Sequence, residues 1–215
     1  MKILVTGFQP FGTDTMNPAY EAVKLLPNEI AGAQVVKIEI PVVYYKGAKL
    51  IEEAMERENP DIVISVGQAG GRAAMTVERV AINLAECPNF ADNEGNTPDG
   101  RRIQEDGRDA YFATVPVKAM VKNMHDHGIP AAISYSAGTY VCNDVMYNLL
   151  YLLDKKYPKV KGGFIHVPFD THQAIGRPVT TPSMPIATIA EALRCCIEAA
   201  VENKDDVVVE CGTTH

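Results

Sequence analysis

The stretch Asp61-Ile62-Val63-Ile64-Ser65-Val66-Gly67 is the clearest indication of how this chain folds. It is short, apolar and rich in β-branched residues, and it ends in glycine, a pattern typical of a strand buried on both faces. The segment before it, residues 45–58, has apolar side chains at helical spacing and stops at Asn59-Pro60, a common helix end. A helix followed by a buried strand predicts a sheet of parallel strands covered by helices.

The same alternation extends in both directions along the 215 residues. Further strands are predicted at residues 2–7, 34–43, 131–136 and 162–169, with an extended run at 75–84. Further helices are predicted to begin at Pro18 and to span 116–127, 143–156 and 185–203, the last with Ser183 as its N-cap. Residues 87–108 are polar and predict a surface loop or small hairpin. The expected fold is a single-domain three-layer α/β/α sandwich, residues 1–215, with an open, twisted, mostly parallel (mixed) sheet.

Composition excludes several classes of function. Hydrophobic residues make up 47% of the chain and charged residues 22%, as in ordinary globular proteins. The net charge of −7 argues against nucleic acid or an acidic membrane surface as a partner. No apolar run reaches the roughly 18 residues of a transmembrane helix, and the apolar start is too short for a signal peptide, so we expect a cytoplasmic protein.

The five cysteines include one candidate nucleophile. An odd number of cysteines without a signal sequence does not predict a disulfide framework. Cys142 follows a predicted strand and stands at the start of an apolar helix, where the helix dipole lowers a thiol pKa and free backbone N–H groups stabilise an oxyanion. A buried structural cysteine is the alternative. The structural interpretation is favoured for the other four, Cys87, Cys195, Cys196 and Cys211.

A thiol nucleophile requires a base, and His166 is the best candidate among the five histidines. It ends a predicted strand at the sheet edge where the Cys142 helix is expected to begin, because loops 7–18, 67–73, 136–142 and 166–177 should meet at one edge. His172, in the following loop, is the second choice. His125 and His127 have the pattern of solvated side chains at a helix end, and His215 is the last residue.

Glu78 is the candidate that orients the histidine. Alternation along its predicted strand places this carboxylate on one side with Val80 and Ile82, a costly position unless the charge is paired. The alternative is a structural ion pair, for instance with Arg72 or Lys118. No nucleotide-binding glycine motif, metalloprotease motif or zinc-type Cys/His spacing occurs, so neither a cofactor nor a metal is expected.

Three motifs together resemble one family. They are Gly67-Gln68-Ala69-Gly70-Gly71-Arg72 continuing into residues 76–83, then Ser136-Ala137-Gly138-Thr139-Tyr140-Val141-Cys142-Asn143, then Gly163-Phe164-Ile165-His166-Val167-Pro168. With the loops at 6–18 and 92–96, the sequence resembles the pyroglutamyl-peptidase I, or pyrrolidone-carboxylate peptidase, family of cysteine peptidases. The resemblance implies Cys142 as nucleophile, His166 as general base and acid, and Glu78 as orienting carboxylate. It also implies removal of an N-terminal pyroglutamyl residue from peptides through an acyl-enzyme, and a homotetramer or dimer.

The substrate group implied by this resemblance is a neutral five-membered lactam, which suits a small apolar pocket with one or two amide partners. The expected substrate-binding residues are Phe8, Phe11, Asn17, Gln68, Tyr140 and Val141. The arginine that the family often carries near the oxyanion is absent from residues 86–90, so Arg72, Arg79 or the Cys142 N–H is expected to take that part, and Phe90 to cover the pocket. A non-catalytic protein that binds lactams or peptide ends is the competing interpretation.

Overall fold

The computed structural model describes residues 1–209; Cys211 and His215 lie outside them. The strands are β1 (Lys2–Phe8), β2 (Glu29–Ile30), β3 (Ala33–Ile40), β4 (Ile62–Gln68), β5 (Met75–Glu78), β6 (Val80–Ile82), β7 (Ala85–Glu86), β8 (Asp99–Arg101), β9 (Ala110–Phe112), β10 (Ala131–Ser134) and β11 (Lys161–Val167). The helices are α1 (Pro18–Leu25), α2 (Lys46–Glu58), α3 (Val117–Asp126), α4 (Val141–Lys155) and α5 (Ile186–Glu202).

Seven of these strands form one central sheet in the order β10-β5-β11-β4-β1-β3-β2. Four neighbouring strands, β11, β4, β1 and β3, are parallel. β5 is antiparallel to β11, β10 is parallel to β5, and β2 is antiparallel to β3. The predicted mostly parallel, mixed sheet is therefore confirmed. β4 and all but the first residue of β1 and β11 are buried, which explains their continuous apolar runs.

Helices cover both faces of this sheet. α1 and α3 both contact α5 on one side, while α2 and α4 pack together on the other. The three-layer α/β/α arrangement is confirmed, and one hydrophobic core runs through its layers. No helix within residues 1–209 has the length and apolar character needed to cross a membrane.

Two local predictions differ from the structure, and a third agrees with it in part. The extended run 75–84 is divided, because β5 joins the central sheet while β6 pairs with β9, a strand that the sequence analysis missed. Ser183 as the N-cap of the last helix is wrong: Pro185 occupies that position without a side-chain cap, and Ser183 instead pairs with Phe169 beyond the end of β11. The predicted loop or small hairpin at residues 87–108 contains β8, which pairs antiparallel with β7 just before it.

The expectation that residues 136–142 follow a strand at the carboxyl edge of the parallel strands is also wrong. β10 pairs in parallel with β5, and β5 runs antiparallel to β11, so β10 leaves the sheet at the opposite end. The chain then returns through residues 135–140, whose Thr139 carbonyl accepts hydrogen bonds from the Glu86 N–H and the Tyr44 hydroxyl. This return places the start of α4 at the edge where β4 and β11 end.

Gly7 allows α1 to cross β1 at close range. A Cβ at Gly7 would lie 2.6 Å from Tyr20 Cα, so any side chain there must displace backbone. We expect Gly7→Ala to lower the free energy of unfolding by about 1–3 kcal/mol, measured by urea unfolding. Glu39→Ala, at the exposed register partner of Gly7, is the control and should change it by less than about 0.5 kcal/mol. An equally small effect of Gly7→Ala would contradict the prediction.

Candidate active site

Three adjacent strands bring two of the predicted residues together. His166, near the end of β11, is the register partner of Gly67 on β4, while Phe164, two residues earlier, pairs with Glu78 on β5. Residues two apart on a strand point to the same face, so His166 and Glu78 share a side of the sheet. Both are deeply buried, with His166 3% exposed and Glu78 0%.

A hydrogen bond between these two side chains determines the form of the imidazole. His166 Nδ1 lies 2.7 Å from Glu78 Oε1. A carboxylate only accepts hydrogen bonds, so Nδ1 carries the proton and Nε2 keeps its lone pair. Burial raises the pKa of Glu78, but the hydrogen bonds from His166 and Arg72, the positive charge of a protonated His166 and a smaller contribution from Ser134 outweigh it and hold the pKa below its usual value. Burial lowers the pKa of His166 by more than Glu78 raises it, so the imidazole is a neutral base near pH 7.

The Cys142 thiol lies beside this pair. Cys142 is the second residue of α4, and its Sγ is 3.0 Å from the point that a Cβ on Gly67 would occupy. Because Gly67 has no side chain, the thiol can approach the sheet directly next to the strand that carries His166. The three predicted catalytic side chains, from β5, α4 and β11, therefore meet in one place.

The expected depression of the Cys142 pKa is wrong. Burial and the nearby Glu78 charge raise the pKa of the thiol to about 12, while Arg72 acts in the opposite direction. The helix start does not offset the loss of water around the sulfur. The resting Cys142 thiol is therefore neutral, and a reaction there near pH 7 needs a base that accepts its proton.

Arg72 completes the charged part of the site. Its Nη1 donates to Glu78 Oε1 at 2.7 Å and contacts the Thr76 hydroxyl, and its Nη2 donates to the Ser136 carbonyl at 3.2 Å. The ion pair with Arg72 and the hydrogen bond to His166 thus occur together, on the same carboxylate oxygen. The other oxygen, Oε2, has no hydrogen-bond partner within residues 1–209.

The other two cations named from the sequence lie elsewhere. The Arg79 guanidinium is 3.8 Å from Asp206 and lies over the Phe112 ring. Lys118 donates to the carbonyl of Val209. Neither contacts Glu78, which leaves Arg72 as the cation at this site.

A small cavity opens beside the thiol. Its volume, including the part open to solvent, is about 270 Å³. Its lining is Phe8, Phe11, Asn17, Val42, Gln68, Tyr140 and Cys142. Five of the six predicted substrate-binding residues are in this lining. The sixth, Val141, is fully buried and does not line the cavity. Val42, just after β3, was missed, because nothing in its sequence context distinguishes it from a core residue.

Two polar residues of the lining differ in what they can offer a ligand. Asn17 Oδ1 accepts from the Ala19 N–H and caps α1, while its Nδ2 donates to the Gln9 carbonyl. Its amide is thus already used to shape the wall. The Gln68 side chain accepts one hydrogen bond, from Gln173.

Aromatic rings form the rim of the cavity. Tyr140 lies with its ring centroid 5.5 Å from that of Phe90 and 5.8 Å from that of Tyr44, and its hydroxyl donates to the Ala91 carbonyl. Phe90 also meets Phe11 edge-on at 6.3 Å and remains 47% exposed. Phe90 therefore stands at the rim, where the sequence analysis expected a cover.

A second group with a cysteine, a histidine and a carboxylate lies between α3 and α5. The ligand atoms of His127, Glu191 and Cys195 are within 4.8 Å of one another and are the one set in residues 1–209 close enough to share a metal ion. Arg194 lies among them and donates to Glu191 at 2.8 Å, with its Nη2 3.5 Å from His127 Nε2. The carboxylate here pairs with a guanidinium instead of orienting the imidazole, so this group is the weaker catalytic candidate.

The remaining candidates lie apart from Cys142. His172, the second choice as base, is exposed and bonds to Asp170. His125 contacts the Ala131 carbonyl, and Cys196 is buried against Met124.

Comparisons with known proteins identify the family of this chain. A family model described as pyroglutamyl peptidase matches residues 1–203. The pyrrolidone-carboxylate peptidase of Enterococcus faecalis is 55% identical over 215 residues, covering 100% of both chains. The crystal structure of pyroglutamyl peptidase I from Bacillus amyloliquefaciens superposes with a TM-score of 0.93 at 42% identity, covering 97% of this chain and 98% of that one. The pyrrolidone carboxyl peptidase from Thermococcus litoralis gives 0.92 at 36% identity, with the same coverage.

The raised pKa of Cys142 predicts how its alkylation depends on pH. Because only the thiolate reacts, the rate with iodoacetamide should rise about tenfold per pH unit from pH 7 to 10 without a plateau. Peptide mass spectrometry identifies the modified residue, and Cys142→Ala is the control for the other thiols. A rate that is already at its maximum at pH 7 would mean that the thiolate is present before substrate binds.

Proposed function

The chain belongs to the pyroglutamyl peptidase family, and we propose that it is a cysteine exopeptidase that removes N-terminal pyroglutamyl residues from peptides. One observation carries the proposal: a neutral imidazole, held by the Glu78–His166 hydrogen bond, lies next to a thiol that borders a small, mostly apolar cavity. A nucleophile, a base and a carboxylate that orients the base are what acyl transfer requires.

The proposed mechanism follows from the protonation states. As Cys142 Sγ attacks the pyroglutamyl carbonyl carbon, the thiol proton passes to His166 Nε2, and the Glu78 carboxylate stabilises the imidazolium. His166 then protonates the leaving amine, which releases the shortened peptide and leaves a thioester on Cys142. Water, activated by His166, hydrolyses the thioester. The Cys142 N–H, in the first turn of α4 and without an intrahelical acceptor, is the proposed oxyanion donor.

The cavity suits a neutral ring better than a charged amino terminus. Its lining contains no carboxylate, the group that a free ammonium would require. We assign the Phe8 and Phe11 rings and Tyr140 to the walls around the lactam, and the Gln68 amide to hydrogen bonding with it. Asn17 forms part of the wall, with an amide already engaged in capping α1. Val141 is buried and supports the wall from behind.

Release of aminomethylcoumarin from its pyroglutamyl amide by fresh, reduced protein tests the proposal. We expect steady turnover, with no release from the free-amine prolyl analogue. A non-catalytic protein that binds lactams would bind the amide without releasing the dye. That result would overturn the peptidase assignment.

Substitutions in the two cysteine-containing groups, at Cys142 and at Cys195, form a matched pair of tests. We expect Cys142→Ala and His166→Ala to reduce turnover to background, because they remove the nucleophile and the base. Cys195→Ala, in the group with His127 and Glu191, should keep the wild-type rate within about threefold once its thermal stability has been checked. If Cys195→Ala lost activity and Cys142→Ala kept it, the nucleophile would be Cys195.

Glu78 variants test how the carboxylate acts. Because His166 and Arg72 both donate to Oε1, a glutamine can keep that oxygen in place and preserve the Nδ1–H form of the imidazole. Glu78→Gln therefore loses only the negative charge, and we expect kcat to fall about 10²-fold. Glu78→Ala also loses the orientation and should be slower by a further factor of about 10. Equal rates for both variants would contradict this explanation.

We further propose that residues 1–215 act as one domain in a cytoplasmic homo-oligomer, a tetramer or dimer. The continuous hydrophobic core supports a single domain. The four free thiols within residues 1–209 are typical of a reducing compartment. The exposed Phe112, Ile175 and Val179 side chains support association between copies. Sedimentation equilibrium measures the oligomeric state directly.

A further inference from the structure

Three loops meet beside the cavity at the side chain of Gln173. Its Nε2 is 3.0 Å from Asp14 Oδ2, in the loop before α1, and 3.0 Å from Gln68 Oε1, at the end of β4. The Met16 carbonyl lies 3.5 Å from the same nitrogen. On the other side, Gln173 Oε1 accepts from the Asp170 N–H at 3.0 Å. Gln173 does not line the cavity itself, but it contacts a residue that does.

The hydrogen-bond partners of Gln173 determine the positions of its amide oxygen and its amide nitrogen. A backbone N–H only donates, so the atom facing Asp170 must be the oxygen. The Asp14 carboxylate, which also accepts from the Arg177 guanidinium, only accepts, so the atom facing it must be the nitrogen. The Gln68 atom that meets this NH₂ group must then be its oxygen. Among residues 1–209, the Gln68 NH₂ group is left without a hydrogen-bond acceptor.

We propose that Gln173 is a positioning residue: it makes Gln68 a hydrogen-bond donor to the ring carbonyl of the pyroglutamyl residue. An unrestrained glutamine amide rotates by 180° and offers a ligand either a donor or an acceptor, and Gln173 removes that choice. Within residues 1–209 the Gln68 side chain has no hydrogen bond besides the one from Gln173, so its NH₂ group remains available. This inference rests on the proposed function and deepens it, because a donor at this point selects rings that carry a carbonyl.

The segment that carries Gln173 is firmly attached to the end of the sheet. The Phe169 ring packs on Gly70 and occupies the space that a Cβ at this glycine would need. The Arg177 guanidinium lies 4.2 Å from the centre of that ring and donates to the Gln173 carbonyl at 2.7 Å. A substitution of the Gln173 side chain therefore leaves these other attachments of the segment in place.

Gln173→Glu is the decisive variant. A carboxylate at this position still accepts from Asp170, but its second oxygen now faces Gln68, so the Gln68 amide must turn and present its own oxygen to the cavity. We expect KM for the pyroglutamyl coumarin amide to rise about 30- to 100-fold while kcat stays within about threefold. The inhibition constant of 2-pyrrolidinone, the bare lactam, should rise in parallel. The iodoacetamide reaction of Cys142 should not change.

Three further variants distinguish a turned Gln68 amide from charge repulsion and from a folding defect. In Asp14→Asn/Gln173→Glu the two carboxylates no longer repel each other, yet Gln68 stays turned, so the high KM should persist. Gln173→Met removes the orientation without reversing it and should raise KM about 3- to 10-fold, which keeps the test valid if Gln173→Glu does not fold. Thr180→Ala, at an exposed position in the same segment, is the control and should match wild type.

The outcomes distinguish this inference from the proposed function. No dye release by the wild-type protein would overturn the proposed function and, with it, this inference. Wild-type turnover combined with an unchanged KM in Gln173→Glu and Gln173→Met would overturn the positioning role alone. Recovery of the wild-type KM in the double variant would attribute the loss to charge repulsion, and this too would overturn it.

Discussion

The buried Glu78 carboxylate is the constraint on which the rest of the site depends. A charge without exposure to water is tolerated only when it is paired, and here two donors, His166 and Arg72, converge on one of its oxygens. This pairing keeps the proton of His166 on Nδ1 and leaves Nε2 as the base. Burial is the main reason why the Cys142 thiol stays protonated, and the Glu78 charge adds to it, since a second negative charge close to Glu78 is unfavourable.

The architecture supplies these donors from separate parts of the chain. β11 carries His166 between β4 and β5, and the antiparallel direction of β5 brings Glu78 alongside it. Gly67 leaves room for the thiol at the edge of β4, and the turn after β4 sends Arg72 back to Glu78. A site assembled across three strands and one helix is rigid, because each side chain is held by an element with its own packing in the core.

The sequence predicted the parallel centre of the sheet and the residues that meet there, since buried runs such as β4 have an unmistakable pattern. It did not predict the direction of β5 and β10, because alternation along a strand contains no information about its neighbour's direction. Ser183 had the residue type of an N-cap, but tertiary pairing with Phe169 used its backbone elsewhere. The thiol pKa was misjudged because burial, which a sequence does not reveal locally, outweighs the helix start. Gln173 was missed because its role depends on contacts with two distant loops.

The position of β11 has a consequence for folding during synthesis on the ribosome. β11 is the last strand within residues 1–209, yet it occupies an interior position between β4 and β5, so the central sheet cannot close until residue 167 has left the exit tunnel. Until then Glu78 has no imidazole partner and the thiol has no base. The nascent chain therefore cannot cleave peptides while most of it has already emerged into the cell. It becomes able to do so only when the final quarter of the chain is being synthesised.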